Sequence, residues 1–284
     1  MQTSLINKII TTALREDTAR DDLTTKLVVP ADQAAQAYIV VKEPAVICGL
    51  QIAQRVFQYL DKNIKFFPLY KDGDWISSVT KVAQIKGKTR AILSGERTAL
   101  NFLSYLSGIA TKTNQFVQAV RPYKTLVMDT RKTTPGLRFL ERQAVRCGGG
   151  SNHRDSLDEM IFIKDNHWKA VEAAGRSMSE MICSLRQKNK KRIEVEVENL
   201  IQFKKVFKIQ PDVILLDNMS IEEMREAVRL NRLKKKSSRA LLEASGGINL
   251  QNVRSVAQTG VDRISIGELT HSRKSIDVSL ELVL

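Results

Sequence analysis

Hydrophobic and polar positions follow two different rhythms along the chain. In the first section Leu5, Ile6, Ile9, Ile10, Ala13 and Leu14 recur at helical spacing behind a Thr-Ser start, and predict an amphipathic helix over Thr3 to Asp17. The acidic loop Asp17, Asp21, Asp22 ends it. Ala37 to Val41 and Ala45 to Cys48 read as strands separated at Pro44; Leu50 to Leu60 returns to a helical period, with Ala53, Val56 and Phe57 on one face. A strand over Ile64 to Tyr70 leads into the turn Asp72-Gly73-Asp74. Val79 to Lys86 and Thr89 to Leu93 then read as a hairpin about Gly87-Lys88. Ser94 reads as the N-cap of a helix that buries Leu100, Leu103 and Leu106 and continues past Gly108 to about Val120. This section is an α+β unit, and the joint to a second domain is expected within that helix.

From Thr125 onward strands and helices alternate, which predicts a parallel sheet or barrel. The candidate strands are Thr125 to Asp129, Met160 to Lys164, Ile193 to Val197, Asp212 to Asp217, Ala240 to Ala244 and Arg263 to Ile266. Helices between them bury Met178, Met181, Ile182 and Leu185, then Leu200, Phe203, Val206 and Phe207. Six such units are fewer than the eight of a regular barrel, so the expectation is a closed or nearly closed barrel with an incomplete helical ring.

Unusual polar residues fall at the C-terminal ends of these strands, where loops of a parallel barrel converge. Arg131 and Lys132 follow the first strand, Lys164 the second, and Asp217 closes the fourth. Gly148-Gly149-Gly150 runs into His153-Arg154, which reads as a loop wrapped around an anion. Glu194, Glu196 and Glu198 alternate with valines and project to one side of their strand. Either that side is a solvated edge, or it faces a pocket where the carboxylates need cations, ribose hydroxyls or a hard metal. Ser245-Gly246-Gly247 before a helix expected near Asn249, together with Gly267, marks a phosphate site. Arg97 falls in the first turn of its expected helix, against the dipole, so it is either a plain exposed arginine or the partner of an anion there.

Charge adds a second possibility. The formal net charge of +14 calls for an anionic partner, yet much of it lies in Arg186 to Arg192 and Arg232 to Arg239, each at a helix end before a strand. Those blocks sit on the face opposite the polar loops, and no aromatics are interleaved as stacking platforms, so solvated faces are favoured over a polyanion surface. Cys48, Cys147 and Cys183 form an odd, widely spaced set without a CxxC pair, which indicates neither a disulfide framework nor a zinc site. A cytoplasmic location without membrane association is expected, because no apolar run approaches spanning length and the N-terminus lacks signal-peptide order.

Several motifs in order carry a family resemblance. They are DDLTT from Asp21, SGERTALNFLSYLSGIAT from Ser94, DTRKTTPGLR from Asp129, VRCGGGSNHR from Val145, IKDNH from Ile163, EVEVEN from Glu194, LLDN from Leu215, EASGGI from Glu243 and ISIG from Ile264. Over essentially its full length the chain resembles the quinolinate phosphoribosyltransferases. The resemblance implies an N-terminal α+β sandwich over 1–108, joined by the tail 275–284, and a six-stranded α/β barrel over 109–274. It implies transfer of a phosphoribosyl group from phosphoribosyl pyrophosphate to quinolinate with loss of CO₂, giving nicotinate mononucleotide. Quinolinate would meet Thr130, Arg131, Lys132, His153, Arg154 and Lys164, with Arg97 entering from the second chain of a homodimer. Phosphoribosyl pyrophosphate would meet Lys132, Lys164, Glu196 and Asp217, and then Ser245, Gly246, Gly247, Ser265 and Gly267. Lys132, Lys164, Glu196 and Asp217 would be catalytic, with Mg²⁺ at Glu196 and Asp217, directly or through water, and no organic cofactor.

Two departures stand out: Asp155-Ser156 where the family usually has a Gly two residues after His-Arg, and Trp168 where an aliphatic residue is usual. The competing readings are a same-fold relative acting on another aromatic acid, and a basic nucleic-acid or anion-binding protein that uses the two Lys/Arg blocks.

Overall fold

The computed structural model describes residues 2–283, which divide into two compact units. The first comprises the chain through Asn114, Thr133–Gly149 and the segment from Leu269 onward. It begins with α1 (Gln2–Glu16), whose Ile10 and Leu14 are buried, and α2 (Leu23–Val28), which Asp22 caps by accepting from the Thr25 amide at 3.0 Å. Then follow β1 (Ala34–Val41), β2 (Ala45–Val46), α3 (Leu50–Leu60), β3 (Lys65–Pro68), β4 (Trp75–Ile76) and β5 (Thr80–Lys88). The 31-residue α4 (Thr89–Ala119) and α5 (Arg138–Cys147) complete its helices. A late strand, Val278–Val283, pairs antiparallel with β1, so the main sheet runs late strand, β1, β5, β3, and β2 pairs separately with β4. Ala37 and Ile39 of β1, Val56 and Phe57 of α3, and Ile85 of β5 are fully shut off from solvent. The apolar alternation of β1 and the helical stripe of α3 thus bury the faces the sequence marks.

The expected hairpin about Gly87-Lys88 is not formed: β5 runs through Lys88, and Thr89 to Leu93 open α4 instead. Five apolar-rich residues cannot distinguish strand from helix by themselves, and here burial at Ile92, Ala99, Leu103, Leu106 and Ala110 continues one helical stripe. Ser94 is therefore not an N-cap; inside α4, its hydroxyl donates to Asp22 at 2.9 Å. Arg97 stands clear of the first turn, which removes the dipole argument for an anion there.

The second unit, Gln115–Lys132 and Gly150–Glu268, carries the alternating section. Its strands are β6 (Leu126–Met128), β7 (Ile161–Ile163), β8 (Ile193–Val197), β9 (Val213–Asp217), β10 (Leu241–Ser245) and β11 (Arg263–Ser265); the late strand of the first unit is β12. All neighbouring pairs are parallel, in the order β6-β11-β10-β9-β8-β7. Helices α6 (Asp165–Ala173), α7 (Met178–Lys188), α8 (Leu200–Ile209), α9 (Ile221–Arg232) and α10 (Val253–Gln258) follow or link the strands, and α11 (Glu268–His271) starts at the last residue of this unit and continues in the first. Phe203, Val206, Ile214 and Ile264 are among the fully buried side chains.

This sheet has two edges, β6 and β7, which do not pair with each other. Ser151 instead forms a parallel bridge with Met128: its amide donates to Val127 O at 2.8 Å and its carbonyl accepts from the Asp129 amide at 3.1 Å. The barrel is therefore incomplete in its strand ladder, and the loop carrying His153-Arg154 lies along the free side of β6. The helix expected near Asn249 starts later, at Val253, because residues 249–252 close a turn in which Asn249 Oδ1 accepts from the Gln251 and Asn252 amides.

Glycine at position 108 is required by close approach, since a Cβ there would sit 2.2 Å from the Lys274 carbonyl oxygen. Gly108→Val is expected to lower the unfolding free energy by about 1–3 kcal/mol, as overpacking against a backbone atom does. An unchanged urea midpoint would refute that close packing.

Candidate active site

Each strand of the second unit ends in polar groups because its apolar residues are consumed by the core below. At β6 the chain leaves the core at Asp129, whose carboxylate is fully buried. Asp129 Oδ1 accepts from the His153 amide at 2.6 Å and Oδ2 from Asn152 Nδ2 at 2.6 Å. A buried carboxylate is costly without such donors, so the bonds define the course of the Gly150–Arg154 loop. The loop then reaches β7: the His153 ring stacks on Phe162 with centroids 5.7 Å apart, and the Arg154 guanidinium lies 4.8 Å from the same ring.

Behind His153 is a buried cluster drawn from β8, β10 and β11. His153 Nε2 is 3.2 Å from Glu194 Oε2 and 3.3 Å from Glu243 Oε1; Arg263 Nε is 3.2 Å from Glu243 Oε2. Ser265 donates its hydroxyl to Glu243 as well. Three of these groups, His153, Glu194 and Glu243, bring ligand atoms within 4.8 Å of one another. An imidazolium at His153 and the Arg263 guanidinium would together offset the two carboxylates. Burial lowers the imidazole pKa, but the bonds and charges of Glu194 and Glu243 outweigh it and lift His153 to about 9. Burial also pushes Glu194 up, whereas the bonds and charges from His153, Arg263 and Ser265 hold Glu243 below its ordinary value.

The exposed side of the loop is cationic. Arg154 is only 9 % exposed, and its pKa is depressed first by burial and second by the charge of Arg131. Two arginines that repel each other at a barrel mouth are suited to an anion with more than one charge. Lys164 Nζ donates to Glu196 Oε2 at 2.6 Å and lies 4.5 Å from the Phe162 ring centroid, so β7 and β8 are joined at their C-terminal ends. Asp217 accepts from Asn218 Nδ2 at 2.8 Å through one oxygen. Among the described residues, Glu196 and Asp217 thus each use one oxygen, and the second oxygen of each could serve a hard cation.

Between β9 and β10 the loops interlock. Asn218 donates its amide to Ser245 O at 2.9 Å, and a Cβ on Gly246 would meet Asn218 Oδ1 at 2.2 Å. Gly246 and Gly247 have φ of +89° and +59°. Their amides donate to no group among the described residues, which leaves consecutive N–H groups for a phosphate.

Comparison with known proteins identifies the family. Residues 22–107 match the family model for the N-terminal domain of quinolinate phosphoribosyl transferase, and residues 109–281 match that for its C-terminal domain. The chain belongs to the quinolinate phosphoribosyltransferase family. It is 42% identical over 272 residues to a probable nicotinate-nucleotide pyrophosphorylase [carboxylating] of Synechocystis, covering 95% of this chain and 90% of that one. A Bacillus subtilis protein of the same description is 39% identical over 281 residues, covering 98% of this chain and 94% of its own. Among solved structures, the nicotinate-nucleotide pyrophosphorylase of Francisella tularensis superposes with a TM-score of 0.90 at 36% identity, covering 99% of this chain and 96% of that chain.

In this quinolinate phosphoribosyltransferase family member, Thr130, Arg131, Lys132, Lys164, Glu196, Asp217, Ser245, Gly246, Gly247 and Gly267 occupy strand C-termini or the loops just beyond them, whereas His153 and Arg154 lie on the loop from α5 to β7, just past the Ser151 bridge to Met128. Ser265 differs, since its buried hydroxyl is committed to Glu243. Arg97 belongs to the first unit, where it is exposed and lines a cavity with Asp17, Asn101 and Tyr105. Glu198 lies beyond β8 and is exposed, so only Glu194 and Glu196 have the inward placement expected for the three. The Lys/Arg blocks precede β8 and β10. There Lys234 donates to Phe207 O and Arg239 to the carbonyls of Lys234 and Arg232, as befits helix ends. Sequence reading missed Glu243, Arg263 and Phe162 as site residues. Glu243 alone had a visible signal, a charge alternating with apolar residues two positions before Ser245.

The paired carboxylates make a titration prediction. Because the folded pKa of His153 lies above its ordinary 6.5, the stabilisation from its charge is complete below about pH 6.5 and is lost as pH rises through about 9. Imidazole ¹⁵N resonances followed by NMR are expected to show His153 titrating near 9; a midpoint at the ordinary value would contradict the charged cluster.

Proposed function

We propose that this chain transfers the phosphoribosyl group of phosphoribosyl pyrophosphate to quinolinate and releases pyrophosphate and CO₂, forming nicotinate mononucleotide. The observation that carries this reading is the cationic wall of Arg131, after β6, with Arg154 and charged His153, on the loop before β7, beside the Lys164–Glu196 pair. Quinolinate bears two adjacent carboxylates, and two guanidinium forks with an imidazolium match that charge and planarity. Lys132 and Lys164 act as point charges toward the phosphate groups, while the Gly246-Gly247 amides and the loop at Gly267 receive phosphate oxygens. Ser245 closes the same turn.

Glu196 and Asp217 would hold Mg²⁺ through their second oxygens or through water, and that ion would offset charge on the leaving pyrophosphate. Lys132 and Lys164 oppose the same negative charge as the C1–oxygen bond breaks with its electron pair. The pyridine nitrogen forms the new bond to C1. The resulting pyridinium accepts the electron pair of the breaking carbon–carboxylate bond, CO₂ leaves, and the ring carbon takes a proton. Arg131 and Arg154 fix the ring for this attack.

We also assign the working unit as a homodimer in which Arg97 of one chain completes the other chain's site. Arg97 supports this by being exposed and forming no ion pair among the described residues.

Purified protein given quinolinate, phosphoribosyl pyrophosphate and Mg²⁺ is expected to yield nicotinate mononucleotide and CO₂; an intact preparation without turnover overturns the assignment. Arg154→Ala is expected to lower kcat/KM by about 10²-fold or more, the scale for removing one fixed charge stabiliser. Lys235→Ala, in the block before β10, is expected to leave it unchanged. Equal losses would place the site on the wrong face. Mixing Arg97→Ala and Arg154→Ala chains is expected to restore activity that neither has alone, and failure to do so would remove the shared site.

A further inference from the structure

The outer layer of the second unit contains a groove that the reaction above does not use. It has a volume of ≈ 590 Å³ and runs between the first turn of α6, the start of α7 and one face of α8. That volume falls within the range of small-molecule sites. Its apolar lining is Trp168, Met178, Ile201 and Ile209, and the Trp168 Nε1 donor is shut off from solvent without a hydrogen-bond acceptor among the described residues.

Around that floor stand Arg176, Lys204, Lys205 and Lys208, against the single carboxylate of Glu172. None of the four cations forms an ion pair within 4.0 Å among the described residues. Helix α8 contributes three of them and carries no acidic residue to offset them. Lys208, in its last turn, is favoured by the helix dipole, but Lys204 and Lys205 are mid-helix and have no such reason. The groove is also met by the N-terminal residues of α7, an 11-residue helix whose N-cap Ser177 makes no side-chain cap bond. The first-turn amides and the positive end of its dipole therefore add to the lysines.

A flat aromatic floor beside converging cations matches a ligand that is part heteroaromatic ring and part phosphate. We propose that this groove is a second anion site, separate from the strand C-termini, that binds a nucleotide with its base against Trp168 and its phosphates toward Arg176, Lys204, Lys208 and the start of α7. Neither half of the ligand satisfies the groove alone: the ring leaves the cations unmatched, and a bare phosphate leaves the apolar floor exposed.

The chain supplies its own reporter, because Trp75 and Trp168 are its two tryptophans. In a Trp75→Phe background, titration with adenosine 5′-diphosphate is expected to change Trp168 emission saturably. Adenosine alone and inorganic pyrophosphate alone are each expected to bind at least about tenfold more weakly. The double variant Lys204→Glu/Lys208→Glu is expected to lose the response while keeping its thermal midpoint, whereas Arg154→Ala retains it. Four results would overturn the proposal: no saturable change, an unaffected double variant, pyrophosphate equal to the nucleotide, or loss of the response in Arg154→Ala. The last would assign the signal to the barrel mouth. The readout does not use turnover, so it stands apart from the reaction assigned above.

Discussion

The site depends on one buried carboxylate. Asp129 terminates β6 and spends both oxygens on the loop beyond Gly150, one on a backbone amide and one on a side-chain amide. Those bonds determine where His153 and Arg154 emerge, and Phe162 on β7 supplies the surface on which both rest. A loop with three consecutive glycines has much conformational freedom to lose. Here the loss is offset by fastening the loop at both edges of the open sheet, so its charged side chains are in place before any ligand arrives.

That arrangement gathers like charges, which is unfavourable on its own. Burial first and the charge of Arg131 second depress the pKa of Arg154, and the pKa of His153 is raised because Glu194 and Glu243 stand behind it. Negative charge is thus buried one layer below the mouth and positive charge is presented at its surface. In our reading, a dicarboxylate at the mouth would relieve the repulsion among the cations and leave the cluster beneath in place. The Lys164–Glu196 pair is a more exposed counterpart, in which, on the proposed reaction, the cation would exchange a protein carboxylate for phosphate oxygens.

Strand positions in the second unit are legible because each apolar run is short and bounded by polar residues; the expected bounds of β8, Ile193 to Val197, match the structure. Glu194 and Glu196 were legible as sharing a side for the same reason. Thr89 to Leu93 misled, because their helical neighbours lie on the far side of Ser94, which itself looks like a cap. Glu243, Arg263 and Phe162 were obscured by a different limit. Each is unremarkable within its own strand, and their meeting with His153 follows from the order β11-β10-β9-β8-β7, which local pattern does not encode. The turn at Gly246-Gly247 is legible from its glycines, but Asn218, whose side chain leaves no room for a Cβ on Gly246, becomes visible only when the β9 and β10 loops are side by side.

The gap between β6 and β7 has a consequence for solubility. An open parallel sheet presents two rows of unpaired backbone groups, each a template for another chain to extend. Along β6 that row is taken by Ser151, and next to β7 the rings of His153 and Phe162 lie together. The segment that binds substrate in our reading therefore also guards the β6 edge. Lesions there are of two kinds: loss of Arg154 alone removes a charge from a covered edge, whereas loss of the Asp129 anchor uncovers the edge and exposes the protein to aggregation.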